Sequence, residues 1–142
     1  MGETLYDMDK LMTREREVTL YLLESYPKLY ETSDCYVSTM LDVSFTRDHE
    51  HCNVFAYIPF SWADAVKNGH CRLPYIIMKS QFKLVLMSIA SLHKAGIAHG
   101  CIQSSAIRLS YGLIPHIFGF EHAWTQERKG TKSDRFYNEM SC

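Results

Sequence analysis

The sequence predicts a single domain of the α+β class, with helices and strands in separate stretches of the chain. Residues 79–95 keep the apolar spacing of a helix, whereas 36–45 and 53–58 are rich in β-branched and aromatic side chains. Two further short strands are expected after the helix. A length of 142 residues allows one hydrophobic core. We expect this domain to span 1–125, followed by a polar tail at 126–142.

Composition restricts the class of partner. The chain is 46% hydrophobic and carries a formal net charge of −1, so it is globular and has no overall attraction to nucleic acid or to anionic membranes. No apolar run approaches the roughly 18 residues of a membrane-spanning helix. The five cysteines include no CxxC pair. We therefore expect reduced thiols and an intracellular, cytoplasmic location.

The first half of the chain begins with an amphipathic helix over 11–26, which ends before Pro27 because a residue that precedes proline tends to leave the helical region. The two strands at 36–45 and 53–58 are joined by a polar turn, and Pro59 stops the second strand.

Two more helices follow. Residues 60–67 form a short helix with Ser61 as its N-cap and Asn68-Gly69 as its stop. The long helix over 79–95 begins at Ser80 as cap and ends at Gly96, which is expected to adopt a left-handed conformation.

After Gly96 the chain reads as a loop and two short strands, at 107–109 and 114–118, around a turn that contains Gly112. Helix, loop, strand, turn and strand in this order resemble the catalytic-loop region of the protein-kinase-like superfamily. The phrase SLHKAGIAHGCIQSSAIRL is similar to the end of the kinase helix and its H-[RG]-D-x-x-x-x-N loop, in the His-Gly form of small-molecule phosphotransferases and divergent fungal kinase-like proteins. IPHIFGFEHAW is similar to the strand that carries D-F-[GE].

The resemblance covers about residues 11–124. It implies that residues 53–58 and Pro59 form the strand and hinge beside the nucleotide. It also implies that Glu17, or Glu15 as second choice, is the cofactor-binding glutamate that pairs with the ATP-binding lysine. The expected fold is a partial kinase-like domain: a helix and strand pair of the N-lobe, a hinge, and the start of the helical C-lobe.

Both ends of the family's domain are expected to be missing. Only about a dozen residues precede the first helix, and no G-x-G-x-x-G loop occurs among them. No A-P-E segment or helical C-lobe follows. Apolar faces that these parts would cover are then expected to be exposed, which predicts a protein partner rather than nucleic acid or membrane.

The catalytic positions can be carried over one at a time. The family's catalytic aspartate corresponds to Cys101, and the metal-binding asparagine five residues later corresponds to Ala106. The aspartate of D-F-G corresponds to Ile117 if Phe118 matches its phenylalanine, which we favour because it keeps the Phe-Gly pair, or to Gly119 if the register shifts by two. His99 and Phe118 would keep structural roles. We therefore expect a truncated, degenerate, non-catalytic pseudokinase-like fragment that acts as a binding or regulatory module and takes no cofactor.

Two alternatives belong to other classes. An active phosphotransferase with displaced catalytic groups would use ATP and Mg²⁺ with Asp64, Glu121 or Asp134. A metal-binding module would draw its ligands from two short segments rich in histidine and cysteine. Its candidate ligands are His49, His51, Cys52, His70 and Cys71.

Overall fold

The structure, a computed structural model, describes residues 2–26, 36–45, 51–67 and 73–126. The helices of this part are α1 (Gly2–Ser25), α2 (Trp62–Lys67) and α3 (Tyr75–Lys94). Its strands are β1 (Met40–Phe45), β2 (His51–Phe55), β3 (Phe60–Ser61), β4 (Ile97–Ala98), β5 (Ile107–Leu109), β6 (Pro115–Ile117) and β7 (Trp124–Thr125). Two 3-10 turns, Ser104–Ala106 and Phe120–His122, lie before β5 and after β6.

The strands form three small antiparallel sheets. β1 pairs with β2, β5 lies between β3 and β6, and β4 pairs with β7. A parallel bridge between Val37 and Ile117 joins the segment before β1 to the edge of the β3-β5-β6 sheet. The N-terminal hairpin is thereby connected to the strands that flank the predicted catalytic loop.

One hydrophobic core connects these elements. α1 contributes Val18 and Leu22, which are four residues apart and so face the same side. The α3 side chains Val85 and Leu92 meet them from the other side. The centre is completed by fully or nearly fully buried residues from the strands and the second 3-10 turn: Ile97, Ile107, Ile117 and Phe120. Of the apolar spacing predicted for the long helix, Val85 and Leu92 lie in this core, whereas Phe82 and Leu86 are exposed.

The long helix is confirmed, but its start is not where the sequence suggested. α3 begins at Tyr75, directly after Pro74, whose fixed φ suits a helix N-terminus. Ser80 is inside the helix and donates a hydrogen bond from Oγ to the Ile76 carbonyl at 3.0 Å, so it is not the N-cap. The predicted C-terminal glycine is confirmed, since Gly96 has a φ of 74°.

Other predicted boundaries moved by several residues. α1 begins at Gly2 rather than at residue 11, so its first turns, where Leu5, Met8 and Met12 recur at three- and four-residue intervals, were not predicted. β2 ends at Phe55, before Pro59 is reached. Ser61 does act at the start of α2, where its Oγ accepts a hydrogen bond from the Asp64 N–H at 3.4 Å. The expected stop at Asn68-Gly69 lies outside the described residues.

α3 is also the one helix among the described residues with the length and apolar content of a membrane span. Its polar residues Gln81 and Ser88 are buried against the rest of the domain, and Gln81 Nε2 donates to the Leu113 carbonyl at 3.1 Å. α3 therefore packs on the domain along one face, while 22% of its apolar stretch is buried.

Candidate functional site

His99 is the centre of the loop region. Its side chain is 3% exposed and packs against the Phe120 ring, with 4.9 Å between ring centroids and an angle of 56° between the ring planes. Nε2 lies 2.7 Å from the Phe118 carbonyl, and the Cys101 N–H donates to Nδ1 at 3.3 Å. A carbonyl can only accept and an N–H can only donate, so these contacts define a neutral ring protonated at Nε2.

Burial keeps this ring neutral. It lowers the pKa of His99, and the positive charge that His122 can carry acts in the same direction. The Phe118 carbonyl and the Glu121 carboxylate oppose the shift without cancelling it. The hydrogen bonds of this ring hold the loop that carries His99 against the segment after β6.

Gly100 brings the loop into direct contact with that segment. Its φ is 84°, and a Cβ added to it would lie 2.3 Å from the His122 carbonyl oxygen. A side chain at this position would meet backbone that cannot move aside. Glycine is therefore required by both conformation and space.

Neither loop position proposed for a catalytic or metal-binding side chain has a free polar group: one is an alanine and the other a disulfide-bonded cysteine. Cys101 is half-buried and disulfide-bonded, and its partner lies outside the described residues. The expectation of reduced thiols was wrong for Cys101, because pairing depends on distances in the fold and not on sequence spacing. Ala106 is buried, its N–H donates to the Gln103 carbonyl at 2.9 Å, and its carbonyl accepts from Phe118 N–H at 2.8 Å.

The two candidate positions for the third group differ in environment. Ile117 is fully buried in β6, where its N–H donates to the Tyr36 carbonyl at 3.1 Å and its carbonyl accepts from Ser38 N–H at 2.8 Å. Gly119 is half-buried, follows the strand, and has a φ of 78°. A Cβ added to Gly119 would lie 3.2 Å from Glu121 Oε2, so this carboxylate lies beside the space that a side chain at 119 would enter.

A second acidic residue faces this segment from α1. Glu15 Oε2 accepts a hydrogen bond from Asn53 Nδ2 at 3.3 Å, and the same amide donates to the Met12 carbonyl at 3.0 Å. Burial raises the pKa of the Glu15 carboxyl, and the charge of Glu121 raises it further. Hydrogen bonds from Asn53 and the Phe120 backbone act in the opposite direction.

Glu15, the second choice from the sequence, is thus the α1 glutamate with contacts to both the hairpin and the 3-10 turn. Glu17, the first choice, is half-buried on the same helix. Arg14 attaches α1 to the same segment by donating from Nε to the Ala123 carbonyl at 2.7 Å. The sequence could not place these contacts, because the helix register relative to the loop is set by tertiary packing.

The predicted hinge is held by Arg108 of β5. Its Nε donates to the Ile58 carbonyl at 2.7 Å, and its Nη2 donates to the Pro59 carbonyl at 3.2 Å. These carbonyls belong to the connection between β2 and β3. The guanidinium thereby fixes the hinge segment to the strand that follows the loop, a contact that no sequence motif indicated.

The alternative sites are described only in part. Asp64 is exposed on α2, a helix that packs against the Ser104–Ala106 turn. Cys52 is a half-buried free thiol in β2. Asp134, His49, His70 and Cys71 and the side chain of His51 lie outside the described residues. Within the described residues, no three histidine, cysteine or acidic side chains form a group that could hold a metal ion.

Comparison with known proteins supports the fold. No protein-family model and no curated protein matches the chain. Among solved structures, a chain of the crystal structure of the yeast RNA Pol II CTD kinase CTDK-1 complex superposes with a TM-score of 0.66 at 19% sequence identity. The fold is kinase-like. The match covers 82% of this chain and 35% of the yeast chain, so the protein spans about a third of that neighbour's length.

Proposed function

We propose that this chain is a non-catalytic, kinase-like binding module. The observation that carries the proposal is the absence of a side-chain oxygen ligand at each position that corresponds to a catalytic or metal-binding group. Phosphoryl transfer of the kinase type depends on positioned carboxylates and metal ions that neutralise charge on the phosphates. Cys101, Ala106 and either Ile117 or Gly119 provide none of these groups.

For the third position we favour Gly119 over Ile117. An ionised aspartate in place of Ile117 would lie in the hydrophobic core, where a buried charge is strongly unfavourable. A side chain at 119 would instead project towards Glu121 at the half-buried end of the strand. The ring at Phe120, two residues after Phe118, then takes the place of the phenylalanine in D-F-[GE], and it is the ring that packs against His99.

The loop can keep its conformation without the catalytic and metal-binding side chains. A backbone held by His99, Gly100 and Arg108 presents a fixed surface without needing reactive side chains. No ATP, Mg²⁺ or other cofactor is expected for such a module, and its partner is expected to be a protein. We place it inside the cell, where a reducing environment would act on the Cys101 disulfide.

One observation favours a second candidate, the phosphotransferase with displaced groups. The Glu121 carboxylate lies beside the position where an aspartate at 119 would extend. From this position Glu121, two residues after Gly119, could bind a divalent cation that bridges the phosphates of a nucleotide. Asp64, exposed on α2 beside the loop, would be the second group to test.

The test is phosphoryl transfer from radiolabelled ATP in the presence of Mg²⁺, with the chain itself and a general protein acceptor as substrates. We expect incorporation equal to that of a heat-denatured sample. Transfer above that background that is lost in Glu121→Gln or Asp64→Asn, but retained in the exposed-site control Glu24→Gln, would establish the second candidate instead.

A further inference from the structure

We propose that the outer face of α3 is a docking surface for an acidic amphipathic helix of a partner protein. This inference rests on the proposed binding function and names the chemistry of the partner. The outer face consists of an apolar stripe and an adjacent row of two lysines. The stripe is Tyr75, Met78, Phe82 and Leu86, and the row is Lys79 and Lys83.

The apolar stripe is exposed although its neighbours on the same helix form the core. Tyr75, Phe82 and Leu86 are 79%, 54% and 52% exposed, and Met78 is 37% exposed. Positions 75, 78, 82 and 86 recur at three- and four-residue intervals, so the side chains form a continuous line along the helix. Between Tyr75 and Leu86 this line is about 16 Å long at about 1.5 Å per residue, which matches three turns of a partner helix.

Charge determines which helix fits. Lys79 and Lys83 are four residues apart and exposed on one flank of the stripe. Residues 75–94 include no aspartate or glutamate, and neither lysine forms an ion pair in the part of the chain that the structure describes. A partner helix with apolar residues on one face and carboxylates beside them would bury the stripe and pair with the lysines.

Two other occupants fit this surface less well. A second copy that docked through its own α3 would bring no carboxylate to the lysines. Residues 127–142 of the same chain carry four basic and three acidic side chains, so they are not complementary to a basic row. A membrane surface is the competing occupant, because Ile76, 73% exposed, adds apolar area beyond the lysine row, and the vesicle arm of the experiment tests it.

The experiment uses the full chain and three fluorescent helical peptides of about 14 residues. All three carry the same apolar stripe, and their flanking positions hold glutamate, glutamine or lysine. We expect fluorescence anisotropy to show that the glutamate peptide binds about tenfold more tightly than the glutamine peptide, as two exposed ion pairs would produce. The lysine peptide should not bind.

Variants locate the site. Lys79→Glu/Lys83→Glu should reverse the preference towards the lysine peptide, and Phe82→Ser/Leu86→Ser should abolish binding. The matched controls are Lys67→Glu and Val66→Ser on α2, where a lysine and an exposed valine lie on a different surface. These controls should bind as the unmodified chain does, and circular dichroism should show the same helix content in all variants.

Several results would overturn the inference. The first two concern the peptides: none of the three binds, or all three bind equally. The other two identify a different occupant: self-association that Phe82→Ser/Leu86→Ser abolishes, or binding to phosphatidylserine vesicles that is stronger than binding to the glutamate peptide. Each leaves the proposed lack of catalysis standing, because phosphoryl transfer and nucleotide binding are tested by separate experiments. If the glutamate peptide binds and phosphoryl transfer is also detected, the docking surface stands and the non-catalytic function is wrong.

Discussion

The loop region contains two sets of residues that differ in how strongly the surrounding structure depends on them. His99, Gly100 and Phe120 are fixed by hydrogen bonds, a backbone contact and a ring contact. The positions proposed to correspond to the family's reactive groups, Cys101, Ala106 and Gly119, carry no side-chain oxygen, and they range from half-buried (Cys101 and Gly119) to buried (Ala106). The first set we term the framework, and the second the chemical positions.

This difference shows that the shape of a kinase-like loop and its chemistry depend on different residues. The framework packs against α1 and the core, so it contributes to folding whether or not a phosphate is present. The chemical positions would contribute to transfer through charge alone. Substitutions in the first set should therefore change stability, whereas the second set differs from an active site in lacking a side-chain oxygen that could bind a metal ion.

The largest expected effect is for Phe120→Ala. The ring is fully buried between His99 and the core, so its removal leaves a cavity and should lower the free energy of unfolding by about 3–5 kcal/mol. Urea denaturation measures this loss. Ile102→Ala, in the exposed part of the same loop, is the control and should cost less than about 1 kcal/mol. Equal losses would mean that the framework is not buried as described.

Gly100→Ala should have the next largest effect. A methyl group would meet the His122 carbonyl oxygen, and φ is 84°, so we expect a loss of about 2–4 kcal/mol. Gly112→Ala is the matched control, because its nearest neighbour would be 3.9 Å from the added Cβ. The difference between the two variants in urea denaturation isolates the close approach. A tolerated Gly100→Ala would contradict the contact between the loop and the second 3-10 turn.

A smaller effect is expected from pH. Burial lowers the pKa of His99 in the folded state, so the unfolded state binds a proton more readily below about pH 6.5. Stability should fall as pH falls from about 6.5 towards the lowered folded-state pKa. His116 is shifted in the same direction, so the comparison is made in a His116→Gln background. There, His99→Gln should flatten the pH dependence, and an unchanged slope would argue against a neutral, buried His99.

The smallest effect concerns the two carboxyls at the edge of the site. Because the Glu121 charge raises the pKa of Glu15, Glu121→Gln should lower the Glu15 pKa measured by NMR titration. Glu24→Gln, at an exposed position near the end of α1, should leave it unchanged. If Glu121→Gln leaves the Glu15 pKa unchanged, the Glu121 carboxylate does not lie close enough to Glu15 of α1 for their charges to interact.

The sequence predicted the elements whose signals are local. The apolar spacing of α3, the left-handed Gly96 and the strand at 107–109 follow from properties of neighbouring residues, and the structure confirms them. The β4–β7 pair was missed, because two-residue strands that join Ile97 to Thr125 have no recognisable period. The first turns of α1 were missed although Leu5, Met8 and Met12 keep helical spacing, because the glycine, acidic and other polar residues between them lower the apolar content of the segment.

The site was predictable in outline for the same reason. The spacing of His99, Cys101 and Ala106 depends on one continuous loop. The contacts of Glu15 with Asn53 and the Phe120 backbone depend on how α1 packs, and the choice between Ile117 and Gly119 depends on which residue lies in the core. The Cys101 disulfide requires knowledge of three-dimensional distances, which the cysteine spacing does not contain.

The most direct test of a non-catalytic site is thermal unfolding with ATP and Mg²⁺, compared with ATP and EDTA. A ligand at a hundredfold excess over its Kd stabilises the folded state by about 2.7 kcal/mol, which corresponds to a rise of several degrees in Tm. We predict the same Tm, within about 1 °C, in both conditions at millimolar ATP. A rise in Tm that depends on Mg²⁺ and increases with ATP concentration would contradict the account.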